Sequence, residues 1–252
     1  MPTWMQFAIV CPMVFLAGIV DAIAGGGGLI TLPTYMLVGI PPHMALGTNK
    51  MGSVCGTTLS TARFAKNGYI PWKKVMYYIP AALVGSYVGA SLTLLVSEQA
   101  VRTLMMVSIP IIGALVLGDK NLGKDMKAGT IPERKVFLIA LSAAFFIGMY
   151  DGFYGPGTGT FLLLILTEAA RMSLREAAGT TKAINCASNA AAVVTFLLNG
   201  KVWIALGLAA GVSSMLGNYV GTGLVIHDGA KYVRPVVMVV LCLLFVKLLT
   251  GM

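Results

Sequence analysis

GIVDAIAGGGGLITLPTYMLVGIPPHMALGTNK, residues 18–50, puts an acid at the end of one apolar run and four glycines directly after it. A second, shorter apolar run follows and closes at a Pro-Pro pair before Thr48-Asn49-Lys50. Glycine has no Cβ, so backbone N–H groups at such a run can turn inward and approach a ligand. The run 29–38 reads as a short helix whose N-terminus carries unsatisfied N–H groups and the positive end of the helix dipole. In a soluble protein this pattern would suggest a phosphate loop. Here no strand precedes the glycines and no lysine directly follows them, and the neighbourhood is apolar, so the nucleotide reading falls away.

Composition sets the wider frame. Of 252 residues, 57% are hydrophobic and only 11% charged, with mean hydropathy +0.85. A soluble domain carries about 25% charge, and several runs, such as 75–96, 201–226 and 233–249, reach the length that crosses a hydrocarbon layer of about 30 Å. The chain reads as an all-α polytopic membrane protein with the lipid bilayer as its solvent. Residues 1–25 lack a basic leader and run straight into the glycines, which predicts a retained membrane segment. A net charge of +9 in a soluble chain would suggest nucleic acid; in a membrane protein it reflects basic cytoplasmic loops, and no nucleic-acid partner is expected. Cys11, Cys55, Cys186 and Cys242 lack metal or redox spacing and read as small core residues.

Ten apolar segments can be marked, at about 5–24, 28–40, 50–65, 74–96, 101–118, 135–150, 157–168, 181–198, 202–226 and 233–250. The polar stretch Asp119–Lys135, with five basic and three acidic residues, divides them equally. The expected organisation is a first transmembrane repeat over 1–118, a cytoplasmic linker over 119–135 and a second repeat over 136–252. The halves resemble each other residue by residue. Gly18, Asp21, Gly25 and Gly27 return as Gly148, Asp151, Gly155 and Gly157, an offset of 130. Thr48 and Lys50 return as Thr180 and Lys182, Asn67-Gly68 as Asn199-Gly200, and Gly85-x-Tyr87-Val88-Gly89 as Gly217-x-Tyr219-Val220-Gly221, now at 132. One offset kept over some fifty residues marks a duplication. Five segments per repeat is odd, so the second half enters the membrane in the opposite sense, with short broken or re-entrant helices at the glycine loops. Either all ten segments cross or the short second and third form a re-entrant pair; the parity is the same. Arg63, Lys66, Lys73, Lys74, Arg171 and Arg175 then share a side with the 119–135 linker, which predicts both termini outside the cytoplasmic (inner) membrane.

The candidate site residues follow from this plan. Asp21 and Asp151 are repeat-related acids at the ends of apolar runs, and either serve the site, by gating or coupling, or cap the short helices that follow. Lys50 and Lys182 either snorkel to the interface or face a substrate. Lys182, Asn185, Ser188 and Asn189 share one helix face, as do Lys50, Ser53 and Thr57. Lysine, hydroxyls and amides without a carboxylate suit an anion. Gly26, Gly27, Gly28, Thr48, Asn49, Gly157, Thr158, Gly159 and Thr181 complete the expected substrate-binding set. Gly85-x-x-x-Gly89 and Gly217-x-x-x-Gly221 suit close helix packing. His43 and His227 sit in loop-like contexts without companion ligands, so no metal is expected.

The two motif regions resemble the TauE/SafE family of sulfite and organosulfonate exporters. The matching stretches are Asp21–Ile30 with Ala45–Lys50, and Tyr150–Gly159 with Thr181-Lys182 and Ala187–Asn189. The resemblance covers essentially the whole chain and implies efflux of sulfite or a C2 sulfonate through a multi-spanning inverted-repeat fold. Thr181 stands where the first half has Asn49, so one substrate contacted asymmetrically is expected. The reading is a secondary transporter of a small anion and not an enzyme, with no cofactor and energy from gradients. Proton coupling through Asp21 or Asp151 is left open, as is the oligomeric state. The rivals are a transporter or channel for another anion, such as a carboxylate, and an intramembrane enzyme, for which the sequence lacks clustered acid, base and nucleophile. Topology gives the first test. A cysteine placed at Lys127 should be labelled from the cytoplasmic side and cysteines at the termini from outside; termini on opposite sides would remove the inverted plan.

Overall fold

The computed structural model describes residues 3–104, 107 and 130–228. All regular structure among these residues is helical: α1 (Thr3–Ala24), α2 (Gly28–Leu37), α3 (Pro42–Lys66), α4 (Trp72–Leu95), α5 (Glu133–Phe153), α6 (Thr158–Leu164), α7 (Leu174–Leu198) and α8 (Ile204–Asp228). Helix α6 runs on as a π-helical turn, Ile165–Ala169, and residues 98–104 begin a further helix. Most of the expected segment 101–118, and all of 233–250 with Cys242, lie outside the described residues.

Two expected segments begin too late. The runs 50–65 and 181–198 belong to 25-residue helices that start at Pro42 and Leu174. The missing turns, PHMALGTN and LREAAGT, are too polar for a hydropathy count, yet carry local start signals. Pro42 takes the first helical position, where its missing N–H is harmless. Ser173 caps α7 by accepting the Glu176 N–H, as its Ser-x-x-Glu spacing would suggest. Of the two readings of the second and third segments, the re-entrant pair is the one corrected: α3 is 25 residues long, and the hairpin that turns back is α1 with α2. Gln6 Nε2, near the start of α1, donates to Val38 O at the end of α2 at 2.9 Å.

Helix directions follow from where glycines admit neighbouring backbone. A Cβ on Gly217 or Gly221 would meet Phe15 O or Ile19 O, so α1 and α8 run parallel. On Gly85 or Gly89 it would meet Phe145 O or Met149 O, so α4 and α5 run parallel too. The small-x-x-x-small pairs therefore serve close packing, as expected. Helix α3 lies parallel to α8, with Gly47 on Lys201 and Gly56 on Ser214, and antiparallel to α7, with Gly47 also on Phe196 and Thr58 by Cys186. The α1–α2 and α5–α6 hairpins thus enter from opposite ends. Their tips touch at Gly25 and Gly159, where neither residue leaves room for a side chain.

Among the described residues, five helices are long and apolar enough to span a membrane: α1, α4, α5, α7 and α8. Helix α3 is as long as α7 but less apolar, because its faces are given to other helices and not to lipid. Leu83, Val84 and Tyr87 of α4, and Leu208, Val212 and Leu216 of α8, point outward. Charge is segregated between the ends. One end gathers Arg63, Lys66, Lys73, Lys74, Arg134, Lys135, Arg171 and Arg175, tied together by Lys74–Glu133 (2.8 Å) and by Arg175 over the Tyr69 ring. The other holds Glu98, Arg102 and Lys201.

One repeat-related junction differs in a way proline explains. Trp203 N–H, just before α8, donates to Thr48 Oγ1 at 3.0 Å. The first-half counterpart of Trp203 is Pro71, which has no N–H to give. Accordingly the buried hydroxyl of Thr180, counterpart of Thr48, has no partner among the described residues. Thr48→Val should therefore cost about 1 kcal/mol or more, because it strands the Trp203 N–H. Thr180→Val should cost nothing or stabilise. Thermal unfolding in detergent separates them; equal losses would contradict the assignment.

Candidate functional site

Lys50 and Lys182 stand in the third turns of α3 and α7, and they are 1% and 3% exposed. They do not reach the interface, so snorkelling is excluded. Each instead crosses to an acid of the other half. Lys50 Nζ lies 2.7 Å from Asp151 Oδ1, and Lys182 Nζ lies 3.1 Å from Asp21 Oδ2 while also donating to the Asp21 backbone carbonyl. The capping role for the aspartates is likewise corrected. Gly27 and Gly157 hold the N-cap positions of α2 and α6, and neither helix receives a side-chain cap.

The geometry sorts the two pairs. Asp151 accepts a second hydrogen bond from Ser188 Oγ at 2.6 Å, and its side chain is 3% exposed. Gly155, at φ +102°, leaves space that a Cβ would take from Lys50 Nζ and Asp151. This pair is sealed. Asp21 is 19% exposed and faces a cavity of about 20 Å³ between α1, α2, α3 and α8, room for about one water molecule. Gly18, Gly27, Thr31, Tyr35, Asn49, Gly52, Ser53 and Ser214 line it with Asp21. Thr31 donates to Asn49 Oδ1. The lining differs between the halves: Ile147, Ile184 and Ala82 stand at the positions that match Ala17, Gly52 and Ser214.

The other expected site residues fall in several places. Gly27 and Asn49 line the cavity. Gly27 also lets α2 approach α1, since a Cβ there would sit 2.8 Å from Asp21 Cβ. Gly28 packs on Pro156 and Gly159 on Gly25. Gly26 is buried among side chains. Gly157 (φ +80°) turns the chain into α6, and the Thr158 hydroxyl is spent on Gly155 O. Asn185 and Asn189 bond each other at 2.9 Å. The Thr181 hydroxyl is buried and unpartnered among the described residues. Thr31, Tyr35 and Ser214 were not expected; Thr31 and Tyr35 sit one turn apart on α2, a spacing that could have named them.

His43 is buried in the first turn of α3, not in a loop, with Nε2 3.0 Å from Thr93 O and Nδ1 3.5 Å from Glu98. The His227 side chain lies outside the described set. No group of metal-ligating side chains occurs among the described residues. Further along the α3–α8 seam, Ser60 donates to Asn218 Oδ1 at 2.7 Å and meets Thr222 at 2.8 Å, so the buried polar groups there are mutually satisfied.

Long apolar helices, outward-facing aliphatic surfaces and ion pairs buried between α3 and α5 and between α7 and α1 define a multi-pass membrane protein with an internal polar site. The chain belongs to the TauE/SafE family, whose model, described as "Sulfite exporter TauE/SafE", matches residues 10–248. It is 35% identical over 237 residues to "Probable membrane transporter protein ORF9" of Sinorhizobium sp, covering 93% of this chain and 89% of that one. It is 34% identical over 236 residues to "Probable membrane transporter protein YfcA" of Escherichia coli strain K12, covering 93% and 86%. A probable membrane transporter protein of Haemophilus influenzae is 31% identical over 93% of the chain. No solved structure matches the chain.

The sealed pair carries a stability prediction. Lys50→Met leaves a buried carboxylate without its cation and should cost about 3–5 kcal/mol. Adding Asp151→Asn should recover most of that loss. Thermal unfolding of both variants checks it, and a double variant no more stable than the single one would contradict the assignment.

Proposed function

We propose that the chain is a secondary transporter that exports a small anion, a sulfur oxyanion such as sulfite or an organosulfonate, across the cytoplasmic membrane. The observation that carries this reading is Lys182, a buried ammonium group held by an aspartate at the edge of a cavity lined by hydroxyls and an amide. A cation at membrane depth is costly unless something compensates it, and such residues mark substrate pathways. Asp21 does so in the empty protein. An arriving anion competes with Asp21 for the ammonium group, while the Asn49 amide N–H groups and the Ser53 hydroxyl offer hydrogen bonds. The N-terminus of α2, uncapped and opening at Gly27, adds backbone N–H groups on the same side. Room for one water is too little for sulfite, so the present arrangement is closed, and substrate entry requires Lys182 and Asp21 to part.

The orientation belongs to the same proposal. The basic end faces the cytoplasm by the positive-inside rule, and the α1–α2 hairpin enters from outside. The two hairpins then form an inverted-topology repeat whose discontinuous helices meet at depth, the plan on which many secondary transporters place their sites. Asp21, in the last turn of α1, lies on the cytoplasmic side of the cavity. Asp151 and Lys50 lie nearer the outside. Opening toward the cytoplasm thus disturbs the exposed pair and leaves the sealed one intact.

Anion-induced thermal stabilisation in detergent at fixed ionic strength tests the reading, with sulfite, taurine, sulfoacetate and acetate compared. Lys182→Met should abolish stabilisation by sulfite and sulfoacetate, and Lys182→Arg should keep part of it. Wild-type response in Lys182→Met would remove the lysine from the site. A response to acetate alone would move the substrate class to carboxylates.

A further inference from the structure

We infer that Asp21 is a proton-binding site, and that one proton travels with each anion. This inference rests on the anion reading above and extends it to the co-transported ion. It comes from the difference between the two lysine–aspartate pairs. Asp151 would keep the Ser188 hydroxyl as a partner, and its side chain is 3% exposed against 19% for Asp21. Asp21 has no side-chain hydroxyl or amide donor bonded to it among the described residues, only Lys182, and it borders a space of one water's size. Taking Lys182 from Asp21 therefore leaves a carboxylate at membrane depth with its cation turned toward the substrate. Such a group is costly until it is neutralised.

The surrounding groups show what can neutralise it. From α7 the facing charge is Lys182 itself. From α3, Lys50 is within electrostatic reach, but Asp151 of α5 holds it. From α2, Tyr35 borders the same cavity, and α8 contributes the uncharged Ser214. No further base or cation faces Asp21 among the described residues. A sodium ion in the cavity would have to sit beside the Lys182 ammonium group, which also bonds the Asp21 carbonyl. A proton on Asp21 removes the charge without placing a second cation there, and the cavity beside it has room for one water to deliver it.

The step balances. In the empty state Lys182 is +1 and Asp21 is −1. When a monoanion binds the ammonium group, Asp21 takes one proton from water on the open side, and the site stays neutral. On release to the other side, anion and proton leave together, and the Lys182–Asp21 pair re-forms. Net movement is one anion with one proton and no net charge. An accumulated internal anion can drive this outward.

The test uses the full chain, with isethionate as the probe because it stays ionised across the neutral range. In detergent, wild-type affinity for isethionate should weaken about tenfold for each pH unit of increase, the signature of one proton taken up per anion bound. Asp21→Asn frees Lys182 and cannot titrate there, so its affinity should be independent of pH and at least equal to that of the wild type. In proteoliposomes loaded with isethionate, wild-type efflux should make the interior more alkaline, by about one proton per anion, and its rate should not respond to a potassium–valinomycin clamp. The wild-type measurements stand even where Asp21→Asn folds poorly. Isethionate binding that is independent of pH, with voltage-driven efflux and no alkalinisation, overturns proton coupling and leaves the anion reading standing. Dependence on sodium in place of pH also overturns it. Absence of isethionate, sulfite and sulfoacetate binding by the wild type overturns both readings.

Discussion

An ammonium group buried at membrane depth must be met by an opposite charge, and in this protein each half supplies the charge for the other. Lys50 of the first half meets Asp151 of the second, and Lys182 of the second meets Asp21 of the first. The exchange requires the ends of α1 and α5 to reach past each other, so the turns that follow them must come into contact. Glycine is what permits that contact. A Cβ on Gly25 would fall within the backbone of Gly159, so the tips can meet only if both positions are bare.

The same economy of side-chain volume runs through the helix seams. Gly85, Gly89, Gly217 and Gly221 bring α4 against α5 and α1 against α8 at backbone distance. Helices α3 and α7 sit inside this frame and carry the lysines. Several of their Ser, Thr and Asn residues are bonded within the protein, as with Ser60 to Asn218 and Ser188 to Asp151, while the buried hydroxyls of Thr61, Thr180 and Thr181 have no partner among the described residues. Polarity that would be expensive against lipid is tolerable there because little of either helix has to face lipid.

Much of this could be read in the sequence. The glycine motifs, the Asp–Lys repeat and the small-x-x-x-small pairs are local signals whose physical reason is independent of the fold. The starts of α3 and α7 were missed because hydropathy measures contact with lipid, and these turns contact protein. Ser173-x-x-Glu176 and Pro42 carried the information in capping chemistry instead. The inequality of the ion pairs was foreshadowed only by Asn49 against Thr181. Beside it the halves differ in bulk, with Ile147 and Ile184 at the positions that match Ala17 and Gly52. The inequality itself appears only in the packing, and no spacing rule reports it. Pro71 belongs to the same class. Its missing N–H is plain in the sequence, but its consequence for Thr180 appears only once α4 and α7 are side by side.

On the proposed function, the two repeat-related pairs divide the work, Lys50–Asp151 as the structural pair and Lys182–Asp21 as the responsive one. The most direct check is a structure of the protein with selenate bound, its selenium located by anomalous scattering. The account expects selenate against Lys182 Nζ beside Asn49, with Lys182 and Asp21 separated beyond ion-pair distance, about 4 Å, and with Lys50 and Asp151 still joined. Selenate bound elsewhere while both pairs remain closed, or a broken Lys50–Asp151 pair beside an intact Lys182–Asp21 pair, would contradict it.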